Sequence, residues 1–356
     1  MQKGKSIVEL ANEIERVMNA KKDFVAPTTK LEMVIPAATD EFGLGAVPKI
    51  QVQGNGLYEI GNVAHDQLSE RLGIPRRYYD RMQQEAPALL AANINTWFRR
   101  QPERRLVRTL DGRVRAFLSE RYRPLDNDLI AAATLPILSR QPDLQILSTQ
   151  ITERRLYIQA VTPRLQAEVK VGDVVQAGII ISNSEVGLGA VNVETLIYRL
   201  RCLNGMIAGS GIRKHHVGKK LGSGEEVDAD FYRTATIEAA NTAFRMQIED
   251  TVTNHFTELN FSEQVARLRA AADRMIEPAK ISEAVVEVAN RFSLGKGEME
   301  KILGNFIQGA DLSQWGLGNA VTALANDTED YDRVIELERI GGKVIDLTPA
   351  DFKYLN

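Results

Sequence analysis

Thiols are almost absent. The chain's one cysteine, Cys202, excludes an internal disulfide and fits a reducing compartment such as the cytoplasm. It lies in the run LIYRLRCLNG, where burial is expected rather than a nucleophilic role. No apolar run approaches the roughly 18 residues of a membrane-spanning helix. The opening MQKGKSIVELANEIERV carries acids through its apolar part, which reads against a secretory signal. Histidine is scarce too: His65, His215, His216 and His255 form no His-Glu-x-x-His pattern, so a zinc site has no ligand set. Gly187-Leu188-Gly189 lacks the third glycine of a dinucleotide fingerprint, and Gly218-Lys219 has Arg213 where a P-loop needs glycine. No Gly-x-Ser-x-Gly elbow occurs. The acids Asp327, Glu329, Asp330 and Asp332 lack the glycine of a calcium loop and read as a solvated turn. The expectation is therefore no catalytic set, no metal and no cofactor.

What the chain has is arginine, unevenly placed. Residues 1–75 hold 8 Lys+Arg and 10 Asp+Glu, residues 76–220 hold 23 and 13, and residues 221–356 hold 13 and 24. A basic middle followed by an acidic end points to an anionic partner for the middle, and to self-screening or a protein partner for the end. Residues 104–123, RRLVRTLDGRVRAFLSERYR, are the densest part, with seven arginines against Asp111 and Glu120. Asp111-Gly112 between alternating runs is a strong hairpin signal, because both turn positions need positive φ. A two-residue turn sets Arg108 opposite Arg115, with Arg104, Arg108, Arg113 and Arg115 on one face beside Leu106 and Phe117. Like charges facing across strands repel, so this face expects an anion, protein carboxylates or open water.

The rest reads as α+β: an antiparallel sheet with the basic hairpin packed on helices, then a mainly helical C-terminal region. Three segments are expected, 1–60 (helix and short strands), 61–220 (basic α+β core) and 221–356 (acidic helices). Residues 6–20 form a helix behind Ser6, with Glu9 completing a capping box. Residues 64–80 read as two helices around Leu72-Gly73-Ile74. They are either a helix-turn-helix presenting Arg76, Arg77 and Tyr79 to a groove or plain helix packing. Asp126 caps a helix running to about Ser139. Strands follow, with Arg155, Tyr157 and Gln159 on one face and Leu156, Ile158 and Ala160 on the other. Residues 209–220, GSGIRKHHVGKK, read as a basic loop. Phe352 and Tyr354 are either a docking tail or terminal packing.

Two stretches, RVRAFLSERYRPLDN (113–127) and ISNSEVGLGAVNVETLIYRLRCLNGM (181–206), with LGIPRRYYDRM (72–82) upstream, resemble the phage- and plasmid-borne family called domain of unknown function 932. The resemblance spans roughly 60–260 and implies a mobile-element setting. It transfers no catalytic residue. By analogy of fold alone, a basic hairpin-rich sheet is reminiscent of Rad52-like single-strand annealing proteins. The leading expectation is a phage or plasmid protein that binds single-stranded DNA and promotes annealing. It would act as a homo-oligomer, its acidic end recruiting a host replication or recombination protein. Arg104, Arg105, Arg108, Arg113, Arg115, Arg121, Arg123, Arg154, Arg155, Arg213, Lys214, Lys219 and Lys220 are the candidate phosphate contacts. Phe117, Tyr122 and Tyr157 are the candidate stacking platforms. The alternatives are an interaction module whose basic face binds an acidic protein or its own C-terminal region, and a metal-dependent nucleic-acid-processing enzyme with carboxylates assembled from distant positions, among them Glu185 and Glu194.

Overall fold

The computed structural model describes residues 4–36, 42, 45–122, 125–214 and 234–354. Helix α1 (Ile7–Ala20) starts as its capping box dictates: the Ser6 hydroxyl accepts from the Glu9 N–H, and the Glu9 carboxylate accepts from the Ser6 N–H at 2.7 Å. Strands β1 (Lys22–Pro27), β2 (Leu31–Val34), β3 (Lys49–Val52) and β4 (Gly56–Ile60) precede helices α2 (Asn62–Arg71), α3 (Arg76–Glu85) and α4 (Pro87–Arg100). The arginine hairpin follows as β5 (Arg104–Leu110) and β6 (Arg113–Ser119). All six strands form one sheet in the order β1-β5-β6-β4-β3-β2, antiparallel except for the β4–β6 pair. Strands from both sides of residue 60 thus share a sheet, and the expected boundary there runs through it. One face buries Ile50, Val52, Val107, Val114 and Phe117 against Leu68, Leu90, Ile94 and Phe98 of the helices.

Asp111 (φ 51°) and Gly112 (φ 75°) make the expected tight turn. Leu110 pairs with Arg113 and Thr109 with Val114, as the two-residue turn requires, but the register then slips by one residue. Arg108 faces Ala116, Val107 faces Phe117 and Leu106 faces Leu118, so the expected Arg108–Arg115 pair does not exist. A β-bulge explains it: the extra residue on β6 removes the like-charge pairing and reverses the facing of everything beyond it. Phe117 therefore enters the helix-backed core. Leu106, Ala116 and Leu118 pack on Val63 and Val186 on the other side of the sheet.

Helix α5 (Asn127–Arg140) leads to a five-stranded antiparallel sheet: β7 (Gln145–Ile151), β8 (Leu156–Lys170), β9 (Asp173–Asn183), β10 (Val191–Arg199) and β11 (Asn204–Lys214). Residues 209–214, expected as loop, continue β11 along β10. His215, His216, Lys219 and Lys220 lie outside the described residues. Cys202, expected to be buried, is exposed in the β10–β11 turn. The C-terminal helices are α6 (Thr234–His255), α7 (Glu258–Asp273), α8 (Ile281–Arg291), α9 (Lys296–Gln308), α10 (Gln314–Ala323) and α11 (Tyr331–Ile345). Leu156, Ile158 and Ala160 face α5, α6 and α7 in one core, while Tyr157, Ile180, Leu196 and Ile207 pack against Tyr331 and Ile335 of α11 in another. Phe352 is buried with the C-terminal helices, which settles the terminus as packing. The chain is α+β with a helical end, as expected. No helix among the described residues is long and apolar enough to cross a membrane.

Candidate ligand-binding cleft

The outer face of the hairpin is covered. Arg108 is fully buried. Its Nε donates to Asp23 Oδ2 at 2.9 Å, Nη1 to the Glu185 carbonyl at 2.8 Å and Nη2 to Asp126 Oδ1 at 2.8 Å. These acceptors come from β1, the β9–β10 loop and the N-cap of α5, so one guanidinium joins the two sheets. Burial alone would lower the Arg108 pKa, but Asp23 and Asp126 outweigh it and hold it above the usual value. The Asp126 carboxyl is likewise pushed up by burial, yet Arg108 and Lys21 bring it below its ordinary range. Beside them the Arg115 guanidinium meets Glu185 at 2.6 Å, whose other oxygen accepts from the Asn127 N–H at 2.7 Å. Asn183 donates to the Leu125 carbonyl and to Asn127 Oδ1, and the Tyr122 hydroxyl donates to the Ser184 carbonyl.

Carboxylates of Asp126, Asp128 and Glu185 lie within 4.8 Å of one another, a spacing that suits a metal ion. Sequence reasoning missed this group because its members are far apart in the chain. Lys21, however, sits 2.6 Å from Asp126 and 3.6 Å from Asp128, and Arg108 and Arg115 complete the neutralisation. The three carboxylates are thus paired with cations of the chain itself. Glu194, paired in expectation with Glu185, instead bridges Arg339 at 2.6 Å under α11, so the two do not form one site.

Next to the cluster opens a cleft of about 430 Å³ between the two sheets. Its walls include Arg113 and Arg115 of the hairpin, Arg154 and Arg155 of the β7–β8 turn, Asn127, and Glu185. Arg113 is half-exposed and shared between Glu59 and Glu153 at 3.4 and 3.5 Å. Arg154 is exposed and carries no ion pair among the described residues. Arg155 donates through Nη2 to the Leu188 carbonyl, and burial lowers its pKa. Nε and Nη2 of Arg115 and Nη1 of Arg155 are closed off from solvent and have no acceptor among the described residues.

The other expected contacts disperse. Arg104 pairs with Glu120 at 3.3 Å, and Arg105 pairs with Glu103 while lying over the Phe117 ring at 5.6 Å. Phe117 and Tyr157 are 3% and 2% exposed, which leaves neither free to stack on a base. The Tyr157 hydroxyl donates to Asp332 at 2.7 Å. Arg121 is exposed on the far side of Ser119, and Arg123 lies outside the described residues. The backbones of Arg213 and Lys214 end β11. The α2–α3 pair follows plain helix packing: Tyr79 is buried with its hydroxyl 2.8 Å from His65 Nδ1, and Arg76 pairs with Asp66 and with Asp80 at 2.9 Å. Among the described residues, the acids paired with the hairpin come from residues before 186.

Part of the cluster comes from the two stretches that carry the family resemblance: Arg115, Asp126 and Asn127 from 113–127, and Asn183, Ser184 and Glu185 from 181–206. No curated protein and no solved structure matches the chain, so the likeness to Rad52-like proteins gains no support. The family described as Domain of unknown function (DUF932) matches residues 116–331, more than half of the chain, and the protein belongs to that family.

Proposed function

We propose that the protein binds single-stranded nucleic acid, and that phosphate is held in the inter-sheet cleft rather than along the hairpin face. One observation carries this reading: the buried, acceptorless N–H groups of Arg115 and Arg155 on the cleft wall. Leaving a buried donor unsatisfied costs about 1–3 kcal/mol, more when it is charged. An anionic group entering the cleft supplies the acceptors that the chain withholds, once the guanidinium groups turn toward it. Exposed Arg154 beside them adds a phosphate contact, and the basic balance of residues 76–220 supports an anionic partner. Burial of Phe117 and Tyr157 removes two of the three expected stacking platforms, so affinity rests on charge-assisted hydrogen bonds more than on stacking.

Anisotropy of a labelled single-stranded oligonucleotide, titrated with protein at several salt concentrations, tests the proposal. Binding weakens log-linearly with salt, by a slope of about −0.7 per phosphate contacted. Arg154→Ala flattens that slope by roughly one contact. Absence of binding at low salt, or binding indifferent to salt, rejects it.

A further inference from the structure

We infer that the cleft receives the end of a strand, and that the group it recognises is a terminal phosphate monoester rather than an internal phosphodiester. The inference rests on the nucleic-acid reading of the cleft and adds which part of the strand enters.

Three guanidinium nitrogens lack acceptors, Nε and Nη2 of Arg115 and Nη1 of Arg155. With one hydrogen on Nε and two on each Nη, they carry five N–H bonds. A terminal phosphate presents three non-ester oxygens and about −1.5 to −2 charge at neutral pH. An internal diester presents two such oxygens and a single charge. The monoester's extra oxygen satisfies more of these donors, and its extra charge suits Arg155, which has no ion pair among the described residues, beside Arg115, already paired with Glu185. The shape of the cleft agrees. Its volume of about 430 Å³ lies toward the lower end of the roughly 300–1,000 Å³ typical of pockets for single small ligands. That is room for one nucleotide.

Charge around the opening points the same way. Glu13, Glu59, Asp111 and Glu153 line the cleft together with the arginines. Glu13 and Asp111 are bound to Arg16, and Glu59 and Glu153 to Arg113, so these acids are held in place. A continuous polyanion drawn across the cleft passes these carboxylates with every residue. A strand end brings in one phosphate group, which meets Arg155, a guanidinium with no ion pair among the described residues, while Arg115 remains shared with Glu185.

The test uses the full chain and a short labelled single strand bearing a 5′-phosphate. The competitors are unlabelled strands of one sequence: 5′-phosphorylated, 3′-phosphorylated, dephosphorylated and covalently closed circular. One phosphorylated linear form competes at least about tenfold better than the circle, a gap of about 1.4 kcal/mol. Inorganic phosphate displaces the phosphorylated strand. Arg155→Lys keeps the charge but loses the planar fork, so it abolishes the advantage of the phosphorylated end while competition by the circle persists. Arg154→Gln, at an exposed position, weakens every competitor alike and shows that a folded variant still reports. Equal competition by circular and phosphorylated linear strands overturns the inference and leaves nucleic-acid binding standing. Failure of every strand to bind overturns the nucleic-acid reading itself.

Discussion

Arg108 and Glu338 both have no exposed surface, and each lies at an interface through which a sheet meets another part of the chain. Arg108, between the two sheets, meets two carboxylates and a carbonyl. Glu338, where α11 lies on the five-stranded sheet, receives neutral donors among the described residues, the Gln159 amide at 2.9 Å and the Gly205 N–H at 3.2 Å. Burial pushes the Glu338 carboxyl up to about 7, with those donors only partly opposing it, while the Asp126 beside Arg108 is held below its ordinary 3.8. A buried charge with a counter-charge stays ionised and ties its interface together. One with neutral donors is neutral over much of the pH range and weakens its interface when it ionises.

Removing one partner at the first interface has the largest effect. Arg108→Met removes three charge-assisted hydrogen bonds from the seam between the sheets and leaves Asp126 with Lys21 alone, and equilibrium urea unfolding shows a loss of about 3–5 kcal/mol. The same kind of change at the second interface has the opposite sign. Glu338 has its folded pKa above the unfolded 4.5, so its penalty is absent below about 4.5 and complete above about 7. Glu338→Gln, with the Gln159 amide turned over to present its oxygen, therefore stabilises the protein at pH 8 by on the order of 2–3 kcal/mol. It has little effect at pH 4.5, and thermal melts at the two pH values read the difference. Asp126 works in reverse: its contribution is present above its unfolded 3.8 and lost as pH falls further. A smaller effect comes from Tyr157→Phe, which removes the hydrogen bond to Asp332 under α11 and costs about 1 kcal/mol in the same urea assay. Smallest is Arg154→Ala, exposed and unpaired, which shifts stability by less than about 0.5 kcal/mol. A melt unchanged beside a weakened oligonucleotide titration separates the cleft from both interfaces.

The turn of the hairpin was legible because Asp111-Gly112 has few other uses between alternating runs. The capping box at Ser6 was legible for the same kind of local reason, whereas the helix at Asp126 starts where expected although its side chain is spent on Arg108 and Lys21 rather than on a capping bond. The bulge at Arg115 was not, since no residue type marks it, and one extra residue decided which arginine would be buried. The alternation of β8 was read correctly, but its polar face was taken as open when α11 covers it. Gly341-Gly342 depresses the helix propensity of α11. The structure needs glycine there, since a Cβ at Gly342 would collide with the Ile207 carbonyl. Strand β11 was hidden by Gly205, Gly209 and Gly211, which read as loop until β10 supplies the pairing. The cleft could not be read at all: its arginines were visible, but the segments that meet there lie far apart in sequence.

The contacts of Arg108 bridge sequence separations of 85, 77 and 18 residues. Each forms when its own partner arrives, Asp23 with β1, Asp126 with the start of α5 and the Glu185 carbonyl with the β9–β10 loop, so the full set reports on completed assembly. Chains with the first sheet made but the second missing already neutralise the cation with Asp23, yet leave one of its donors without the Glu185 carbonyl. That last hydrogen bond ties the halves together, and a protein synthesised from its amino end completes the set only once residue 185 is available.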